Sequence, residues 1–431
     1  MSEPADVALN YSTSWSALDR WLRARLFAQM RALQGGRVRI ADELGCEELG
    51  CSGLGKAGHA ATPITIRVTQ PGFYRAVAAS GSVGAGEAYI HGYWQCDDLV
   101  GLVRLLVRNR ALLDGMETGF ARLGGWALRA WQALRPNSRE GARRNIAAHY
   151  DLGNEFFRLF LSSDLMYSSA IFASAQDTLE EASLRKLERI AEKLRLCPDD
   201  HVLEIGTGWG GFALHAASRY GCRVTTTTIS REQYTLATAR VAEAGLQDRV
   251  TVLQQDYRDL SGQYDKLVSI EMVEAIGAAN LPGYFAAIGR LLRPDGLALL
   301  QAITIEDHRY AQALRAVDFI KRHVFPGSFI PSIAALVAAK SRSSDLALVH
   351  LEDFGASYAR TLHAWRERFL QQRDAVLAQG FDEPFLRLWE FYLAYCEGGF
   401  LERSIGVAQL LLARPDCRTA EYLTGLGRLE G

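Results

Sequence analysis

The residues with the clearest capacity for chemistry lie between Val202 and Phe212, in the stretch Val-Leu-Glu-Ile-Gly-Thr-Gly-Trp-Gly-Gly-Phe. A short apolar run ends at Ile205, glycines follow up to Gly211, and the spacing after Phe212 is helical. The pattern predicts a buried strand, a glycine turn and a helix. Glycines let the backbone pass close to a ligand at the carboxyl end of a parallel strand, where an open α/β sheet binds its ligands. A plain tight turn between strand and helix would have the same glycines.

The acidic residues around this turn indicate which ligand it would bind. Gly206, Gly208 and Gly211 also fit the dinucleotide fingerprint, but that motif requires an acid about 20 residues further on. The second predicted strand ends at Ser230 without one, so a nicotinamide or flavin is disfavoured. Glu204 instead precedes the first glycine by two residues, where its carboxylate can face the amino group of a methionine-derived cofactor. The arrangement resembles motif I of the class I S-adenosylmethionine methyltransferases.

The ends of the next strands supply the other candidate contacts of this cofactor. Gln233, after Thr228, is placed to take the ribose hydroxyls in place of the missing acid. Asp256 is placed to accept from the adenine amino group, and Tyr257 to cover the ring. A fourth strand is followed by Glu271 and Glu274, which the pattern places near the reacting end of the cofactor. Each of these positions also has a structural explanation, as a helix cap or a solvated face.

The second half of the chain alternates strand and helix patterns, as a mostly parallel, doubly wound sheet requires. We therefore predict an α/β fold with the sheet of a class I methyltransferase. The strand candidates are residues 202–205, 223–229, 250–254, 267–270, 297–304 and 346–351, with 407–412 as a last, antiparallel edge strand.

The first half predicts a small α+β domain over residues 1–110, for lipid binding or dimerisation. It comprises a helix near residues 15–30, a loop around 45–58, strands at 64–68 and 73–78, and a helix at 97–110. Residues 111–144 are basic and aromatic, which suits either an interfacial segment or an interdomain linker. Residues 145–431 are predicted to form the methyltransferase domain, with a tunnel for an acyl chain.

Composition excludes several classes of protein. The chain has 48 Lys and Arg against 49 Asp and Glu, a net charge of −1, which argues against a nucleic-acid binder. Its seven cysteines lack metal or redox spacing, and no cluster of ligands predicts a metal site. The first fifteen residues do not have the pattern of a secretory signal, and apolar runs stay below the ~20 residues of a membrane span. We expect a cytoplasmic protein, attached at most to the inner face of the cell membrane.

Several longer motifs resemble one enzyme family. Together with the glycine turn, they are similar to the cyclopropane fatty acid synthase family, which includes the mycolic acid methyltransferases. The motifs are residues 148–157, 165–172, 273–277, 325–332, 358–365 and 395–400. Residues 86–96 resemble the N-terminal domain of the bacterial phospholipid enzymes, which are dimers. The resemblance implies S-adenosylmethionine as cofactor, with Tyr167 and Ser168 among its contacts, an unsaturated phospholipid acyl chain as substrate, and a possible homodimer.

The resemblance also implies how the reaction ends. Methyl transfer to a cis double bond leaves a carbocation, which nearby aromatic faces can stabilise, and in the family a bound bicarbonate removes its proton. The positions that match the bicarbonate ligands are Glu274, Tyr358, Ile303 through its backbone, Ser169 in place of Cys, and Gln301 in place of His. Ser and Gln can still donate hydrogen bonds to an anion, whereas Gln cannot relay a proton as His does. Bicarbonate is therefore an open expectation.

Three products and two rival functions stay open on the sequence alone. Loss of a methyl proton would close a cyclopropane, loss of a chain proton would leave a methylene- or methyl-branched alkene, and water capture would give a hydroxylated branch. The cyclopropane is the expected product, from the usual activity of the family. The rivals are a methyltransferase for a small molecule and a lipid-binding protein on a decayed methyltransferase scaffold.

Overall fold

The structure, a computed structural model, describes residues 14–51, 62–112 and 152–418. The chain divides into two compact units. The first comprises Met1–Leu128 and Phe381–Gly398, and the second comprises Arg129–Gly380 and Gly399–Gly431. Most of the predicted basic and aromatic segment, residues 113–144, lies outside the described residues.

The first unit contains a four-stranded sheet in the order β2-β1-β3-β4, in which β1 and β3 are parallel and the other pairs antiparallel. Its core contains Phe27, Val38, Ile40, Tyr74 and Trp94. The elements are α1 Ala17–Met30, β1 Gly36–Asp42, β2 Gly45–Cys51, β3 Ile64–Val68, α2 Gly72–Ile90, β4 Trp94–Cys96 and α3 Leu99–Arg108.

Two predictions for the first unit are wrong. Residues 73–78 begin helix α2, because this short aromatic and aliphatic run continues into an alanine-rich segment that favours a helix. Residues 45–51 form strand β2 instead of a loop. Glu47 and Glu48 make this edge strand polar, so it lacks the apolar alternation of a strand, but they pair with Arg31 and Arg37.

Residues 381–398 also differ from the prediction, which placed all of 145–431 in one domain. In the structure this segment groups with the first unit. Tyr89 donates a hydrogen bond to Glu390 at 3.0 Å, and the rings of Tyr89 and Phe391 lie 5.5 Å apart. These contacts join residues about 300 positions apart, a separation that local sequence patterns do not report.

The second unit is a seven-stranded sheet in the order β10-β11-β9-β8-β5-β6-β7, with β5 to β9 parallel and β10 and β11 antiparallel to their neighbours. The predicted α/β class is confirmed. Helices on both faces cover two apolar cores. The strands are β5 His201–Ile205, β6 Arg223–Thr228, β7 Val250–Gln254, β8 Tyr264–Ile270, β9 Leu292–Ile305, β10 Ala347–Asp353 and β11 Ile405–Ala413.

The predicted edge position of the last strand is wrong. Strand β11 is antiparallel, as expected, but it lies between β9 and β10, so that β10 forms the edge. Eight of its nine residues from Ile405 to Ala413 are apolar or glycine, which suits an interior strand, and Gln409 is the exception. This polar residue is fully buried.

The helices of this unit include α5, which positions several charged side chains inside the protein. A capping box between Thr178 and Glu181 begins α5, and Lys186 and Lys193 are both buried along it. Helix α14 belongs to the first unit up to Gly398. The helices are α4 Asn154–Arg158, α5 Leu179–Leu194, α6 Gly211–Tyr220, α7 Arg231–Glu243, α8 Leu281–Leu291, α9 Tyr310–Arg315, α10 Phe319–His323, α11 Ile333–Ser343, α12 Gly355–Gln371, α13 Arg373–Ala378 and α14 Glu383–Leu401.

Across the described ranges, no helix combines the length and the apolar character that a membrane span requires.

Candidate active site

The glycine turn after β5 has the geometry that the sequence predicts. Gly206, Gly208 and Gly210 have φ angles of 104°, 52° and 87°, a region that favours glycine. The amides of Gly206 and Thr207 both donate to the carbonyl of Thr227 at 3.0 Å, which ties the turn to the neighbouring strand. Among the described residues, no atom beyond the two chain neighbours lies within 4 Å of the position that a Cβ would take at Gly208. The turn is therefore open at this point and can accept a ligand against its backbone.

Glu204 lies at the same end of the sheet, and its side chain is almost completely buried. The Thr226 hydroxyl donates to its carboxylate at 2.6 Å. Burial raises the pKa of Glu204 to about 8, although the Thr226 hydroxyl and the Lys186 ammonium act in the opposite direction. A buried carboxyl group with this pKa ionises readily when a cation is placed beside it. The predicted partner, the α-amino group of S-adenosylmethionine, is such a cation, so the turn and Glu204 together fit this cofactor.

The other predicted cofactor contacts lie at the carboxyl ends of the next two strands. The Thr228 hydroxyl donates to the Gln233 side-chain oxygen at 2.8 Å, which leaves the amide nitrogen of Gln233 for a ligand hydroxyl. The carboxylate of Asp256 accepts from the backbone and the guanidinium of Arg258. Tyr257 packs on Tyr284, with ring centroids 5.3 Å apart. The predicted roles of these side chains toward ribose and adenine stay predictions.

Tyr167 and Ser168 precede the reacting end. The Tyr167 ring lies 5.2 Å from that of Trp365, within an aromatic cluster, and the Ser168 hydroxyl accepts from Lys186 at 3.0 Å. The sequence analysis did not select Lys186. Burial lowers its pKa to about 8, opposed by Asp164, Glu271 and Glu204. Its signal in the sequence is weak, because a single lysine in an amphipathic helix is most often solvated.

The residues predicted to hold bicarbonate do come together, but three of them contact the carboxylate of Glu271. The Ser169 amide donates to Glu271 Oε1 at 2.9 Å, the Gln301 side-chain nitrogen to the same oxygen at 2.8 Å, and the Tyr358 hydroxyl to Oε2 at 2.7 Å. The Ser169 hydroxyl donates instead to the carbonyl of Ala170. The sequence analysis placed Glu271 near the reacting end without giving it a role.

The backbone of Glu271 is strained, with a φ of 49°. A left-handed conformation at a residue other than glycine costs about 1 kcal/mol or more and is often found at functional sites. The Glu271 amide donates to the Gln301 carbonyl at 2.8 Å, which helps to hold this conformation. The strain directs the side chain toward the three donors.

Glu274 has a different environment from Glu271. Its Oε1 accepts from the Ile303 amide at 2.5 Å, so that two of the residues expected to bind bicarbonate contact each other. Its Oε2 is buried and finds no hydrogen-bond partner among the described residues. Burial and the nearby Glu271 raise the pKa of Glu274 to about 8.

The two environments separate the roles of the two carboxyl groups. Burial also raises the pKa of Glu271, but Tyr358, Ser169, Gln301 and Lys186 all favour its ionised form. Glu274 receives one amide and lies next to a like charge, which favours its protonated form. Two neighbouring carboxyl groups with unlike environments are a common arrangement of a base and an acid. Glu271 is thus the group suited to accept a proton.

A bound bicarbonate does not fit this arrangement. Three of the groups expected to bind the anion already donate to Glu271, and a second anion beside two carboxyl groups would be repelled. Within residues 14–51, 62–112 and 152–418, no group of His, Cys, Asp and Glu side chains is arranged to hold a metal ion.

The aromatic residues near the site divide into two groups. Phe156, Phe157 and Phe160 are completely buried and pack on one another, as core residues do. The Tyr358 ring lies 4.4 Å from the Phe400 ring while its hydroxyl contacts Glu271, so it lies at the reacting end.

The sheet order, the glycine turn and the buried acid before it define the class of protein, an S-adenosylmethionine-dependent methyltransferase. Residues 137–410 match the family of mycolic acid cyclopropane synthetases. The chain belongs to this family.

Individual relatives agree with this assignment. The chain is 40% identical over 351 residues to the tuberculostearic acid methyltransferase UfaA1 of Mycobacterium tuberculosis, which covers 79% of this chain and 81% of that one. It is 37% identical to the cyclopropane-fatty-acyl-phospholipid synthase of Escherichia coli, over 83% of this chain and 89% of the other. The solved mycolic acid cyclopropane synthase CmaA1, in complex with SAH and CTAB, aligns with a TM-score of 0.59 and 29% identity, covering 63% of this chain and 98% of that chain.

Proposed function

We propose that this enzyme transfers the methyl group of S-adenosylmethionine to the cis double bond of a phospholipid acyl chain, and that Glu271 accepts the proton that the product loses. The observation that carries the proposal is the carboxylate of Glu271, held by Ser169, Gln301 and Tyr358 at the place where the family resemblance expects an exchangeable anion. The names of the relatives support a lipid substrate.

The reaction needs little from the protein beyond position, exclusion of water and a base. S-adenosylmethionine supplies an electrophilic methyl group. The π electrons of the alkene form the new carbon–carbon bond, the C–S electron pair stays on sulfur, and the neighbouring carbon becomes a cation. The Glu271 carboxylate then takes a proton from the new methyl group, and that C–H pair closes a cyclopropane ring. A buried carboxylate is a stronger base than a solvated one, because burial raises its pKa.

A second product follows from the same cation and is favoured by one observation. The base is fixed at Glu271, and one relative is named a tuberculostearic acid methyltransferase. If a hydride moves from the methylated carbon to the cation first, loss of the same methyl proton, in place of the chain proton expected from the sequence, gives a methylene branch. The cyclopropane is the first candidate and the methylene branch the second.

The phospholipid substrate requires access to a membrane surface, and helix α1 offers a group suited to it. Leu18 and Trp21 are about half exposed, and the Arg25 guanidinium lies 5.5 Å from the Trp21 ring centroid. Exposed apolar and aromatic side chains beside a cation suit the interface of an anionic membrane. Attachment to the inner face of the membrane, the cytoplasmic location, the acyl tunnel and the homodimer are parts of this proposal.

The test uses vesicles of dioleoyl phosphatidylglycerol and S-adenosylmethionine with a deuterated methyl group. We expect labelled acyl chains that retain two of the three deuterium atoms, since both products lose one methyl hydrogen. Proton spectra of lipid made with unlabelled S-adenosylmethionine then separate ring protons from vinylidene protons. Retention of three deuterium atoms would show that the proton leaves from the acyl chain. Cofactor binding without any labelled lipid would support the lipid-binding protein on a decayed methyltransferase scaffold. Methylation of a water-soluble amine in place of the lipid would support the small-molecule enzyme.

A further inference from the structure

A chain of buried polar side chains leads from helix α5 to the base. The Lys193 ammonium donates to Gln409 Oε1 at 2.7 Å, and Gln409 Nε2 donates to Gln301 Oε1 at 3.0 Å. Gln301 Nε2 then donates to the carboxylate of Glu271 at 2.8 Å. Lys193, Gln409 and Gln301 are each at most 1% exposed. Two glutamines in an apolar sheet and a buried lysine beside them are costly unless their hydrogen bonds are all made.

The register of the sheet brings the two glutamines together. Gln409 in β11 lies directly opposite Gln301 in β9. Their immediate neighbours in both strands are Leu300, Ala302, Ala408 and Leu410, all buried and apolar. The pair therefore has no alternative partner in solvent and depends on the residues at its two ends.

The lysine sets the direction of this chain. A glutamine amide has a donor end and an acceptor end of nearly the same shape, so the pair alone could be arranged in either sense. An ammonium group has no acceptor, and Lys193 therefore requires the oxygen of Gln409. The nitrogen of Gln409 must then face Gln301, and the nitrogen of Gln301 must face Glu271.

The charged groups at each end are compatible with this direction. Lys193 also pairs with Glu352, which Arg189 contacts from the same helix. Burial lowers the pKa of Lys193, but Glu352 opposes the shift and favours the ammonium form. At the other end the titratable groups that interact with Glu271 are Tyr358, Lys186 and Glu274.

We infer that Lys193 and Gln409 are positioning residues for the base: they fix the Gln301 amide so that its donor end is always presented to Glu271. The inference rests on the proposed role of Glu271 and adds two residues that touch neither substrate nor cofactor. A buried amide held the other way would present its oxygen to the carboxylate and disfavour the ionised form.

Gln409→Glu gives the sharpest test. The variant has nearly the same size and gains an ion pair with Lys193, so a merely structural role would tolerate it. Its carboxylate cannot donate, however, and Gln301 would turn its nitrogen toward residue 409 and its oxygen toward Glu271. We expect the acid limb of the kcat profile to move up by about one pH unit or more, with the KM for S-adenosylmethionine unchanged.

A second pair of variants tests whether Gln409 acts through Gln301. Gln409→Leu should shift the acid limb in the same direction by a smaller amount, and Gln301→Leu should shift it further. The double variant should be no worse than Gln301→Leu alone, because the effect of Gln409 passes through that residue. Leu411→Ala, in the same strand, is the control for destabilisation: it should lower the melting temperature and leave the pH profile in place.

The infrared band of the Glu271 carboxyl group, isolated as the difference between wild type and Glu271→Gln, gives a readout that does not need turnover. We expect it to titrate at higher pH in Gln409→Glu than in wild type. An unshifted band and an unshifted profile would overturn the inference, and so would additive losses in the double variant. If the wild-type protein makes no labelled lipid but Gln409→Glu still shows the expected infrared shift, the proposed function is overturned and the positioning role stands.

Discussion

The cofactor end and the base end of the active site are built in different ways. At the cofactor end, Glu204, Thr228 and Asp256 lie at or directly after the carboxyl ends of parallel strands, and the glycine turn has the left-handed backbone that its glycines suggest. At the base end, the central carboxylate is held by residues more than 80 positions apart in the chain or in other strands, such as Ser169 and Tyr358.

The local sequence determines the cofactor turn, whereas the packing of distant elements determines the position of the base. The turn depends on the backbone freedom of a few adjacent residues, whereas the base depends on hydrogen bonds that exist only when β8, β9, β11 and α12 have packed. We therefore expect substitutions at the cofactor end to change binding, and substitutions at the base end to change the chemical step and its pH dependence.

The largest expected effect is that of Glu271→Gln. The variant keeps the size of the side chain and removes the proton acceptor, so kcat should fall by about 10³-fold, within the usual range for loss of a general base. The affinity for S-adenosylhomocysteine, measured by calorimetry, should stay within about twofold of wild type. Glu274→Gln is the matched comparison at the neighbouring carboxyl group, and it should lose less activity than Glu271→Gln. The reverse order would assign the role of base to Glu274.

A smaller effect is expected at the cofactor end, from Glu204→Gln. Because the pKa of Glu204 is about 8 without a ligand, pairing with the cationic amino group of the cofactor releases a proton below that pH. Wild-type affinity should therefore rise by up to about tenfold between pH 6.5 and 7.5. The variant should bind about tenfold more weakly at pH 7.5 and lose this dependence. Wild-type affinity that does not change with pH would remove the assignment of Glu204.

A change in stability distinguishes the two carboxyl groups again. The pKa of Glu274 in the folded protein is about 8, above its ordinary value of 4.5. Its favourable contribution is complete below the ordinary pKa and is lost as the pH rises through 8. Glu274→Gln lacks this loss and should gain on the order of 3 kcal/mol over wild type between pH 5 and pH 8. Chemical unfolding at pH 5 and pH 8 measures the free energy of unfolding of both proteins. An equal difference between variant and wild type at the two pH values would show that Glu274 is not buried as a neutral acid.

The sequence predicts the parallel sheet and the cofactor turn well because both follow from short patterns. The run from Val202 to Ile205 is apolar apart from Glu204 and contains two β-branched residues, which indicates a buried strand. The glycines after it indicate a tight turn into a helix. The two strands that were predicted wrongly lack such a short pattern. Strand β2 is a polar edge strand, and the position of β11 depends on which strand pairs outside it.

The base end could be predicted only in part. The resemblance selected Ser169, Gln301 and Tyr358 as ligands of bicarbonate, and in the structure all three contact the carboxylate of Glu271. The resemblance could not show that these residues contact Glu271. The direction of the Glu271 side chain depends on its left-handed backbone, which the sequence does not reveal. Gln409 and Lys193 gave no signal, since a glutamine in a strand and a lysine in a helix are common on surfaces.

The most direct test of the central claim is chemical rescue of Glu271→Gly. Glycine accepts the left-handed backbone without strain and leaves the donors of Ser169, Gln301 and Tyr358 facing a gap. We predict that wild-type methylation of dioleoyl phosphatidylglycerol is independent of added bicarbonate, and that the variant is inactive without it and recovers by about tenfold or more, saturably, when it is supplied. A wild-type enzyme that requires bicarbonate, or a variant that is fully active without any added anion, would contradict the account.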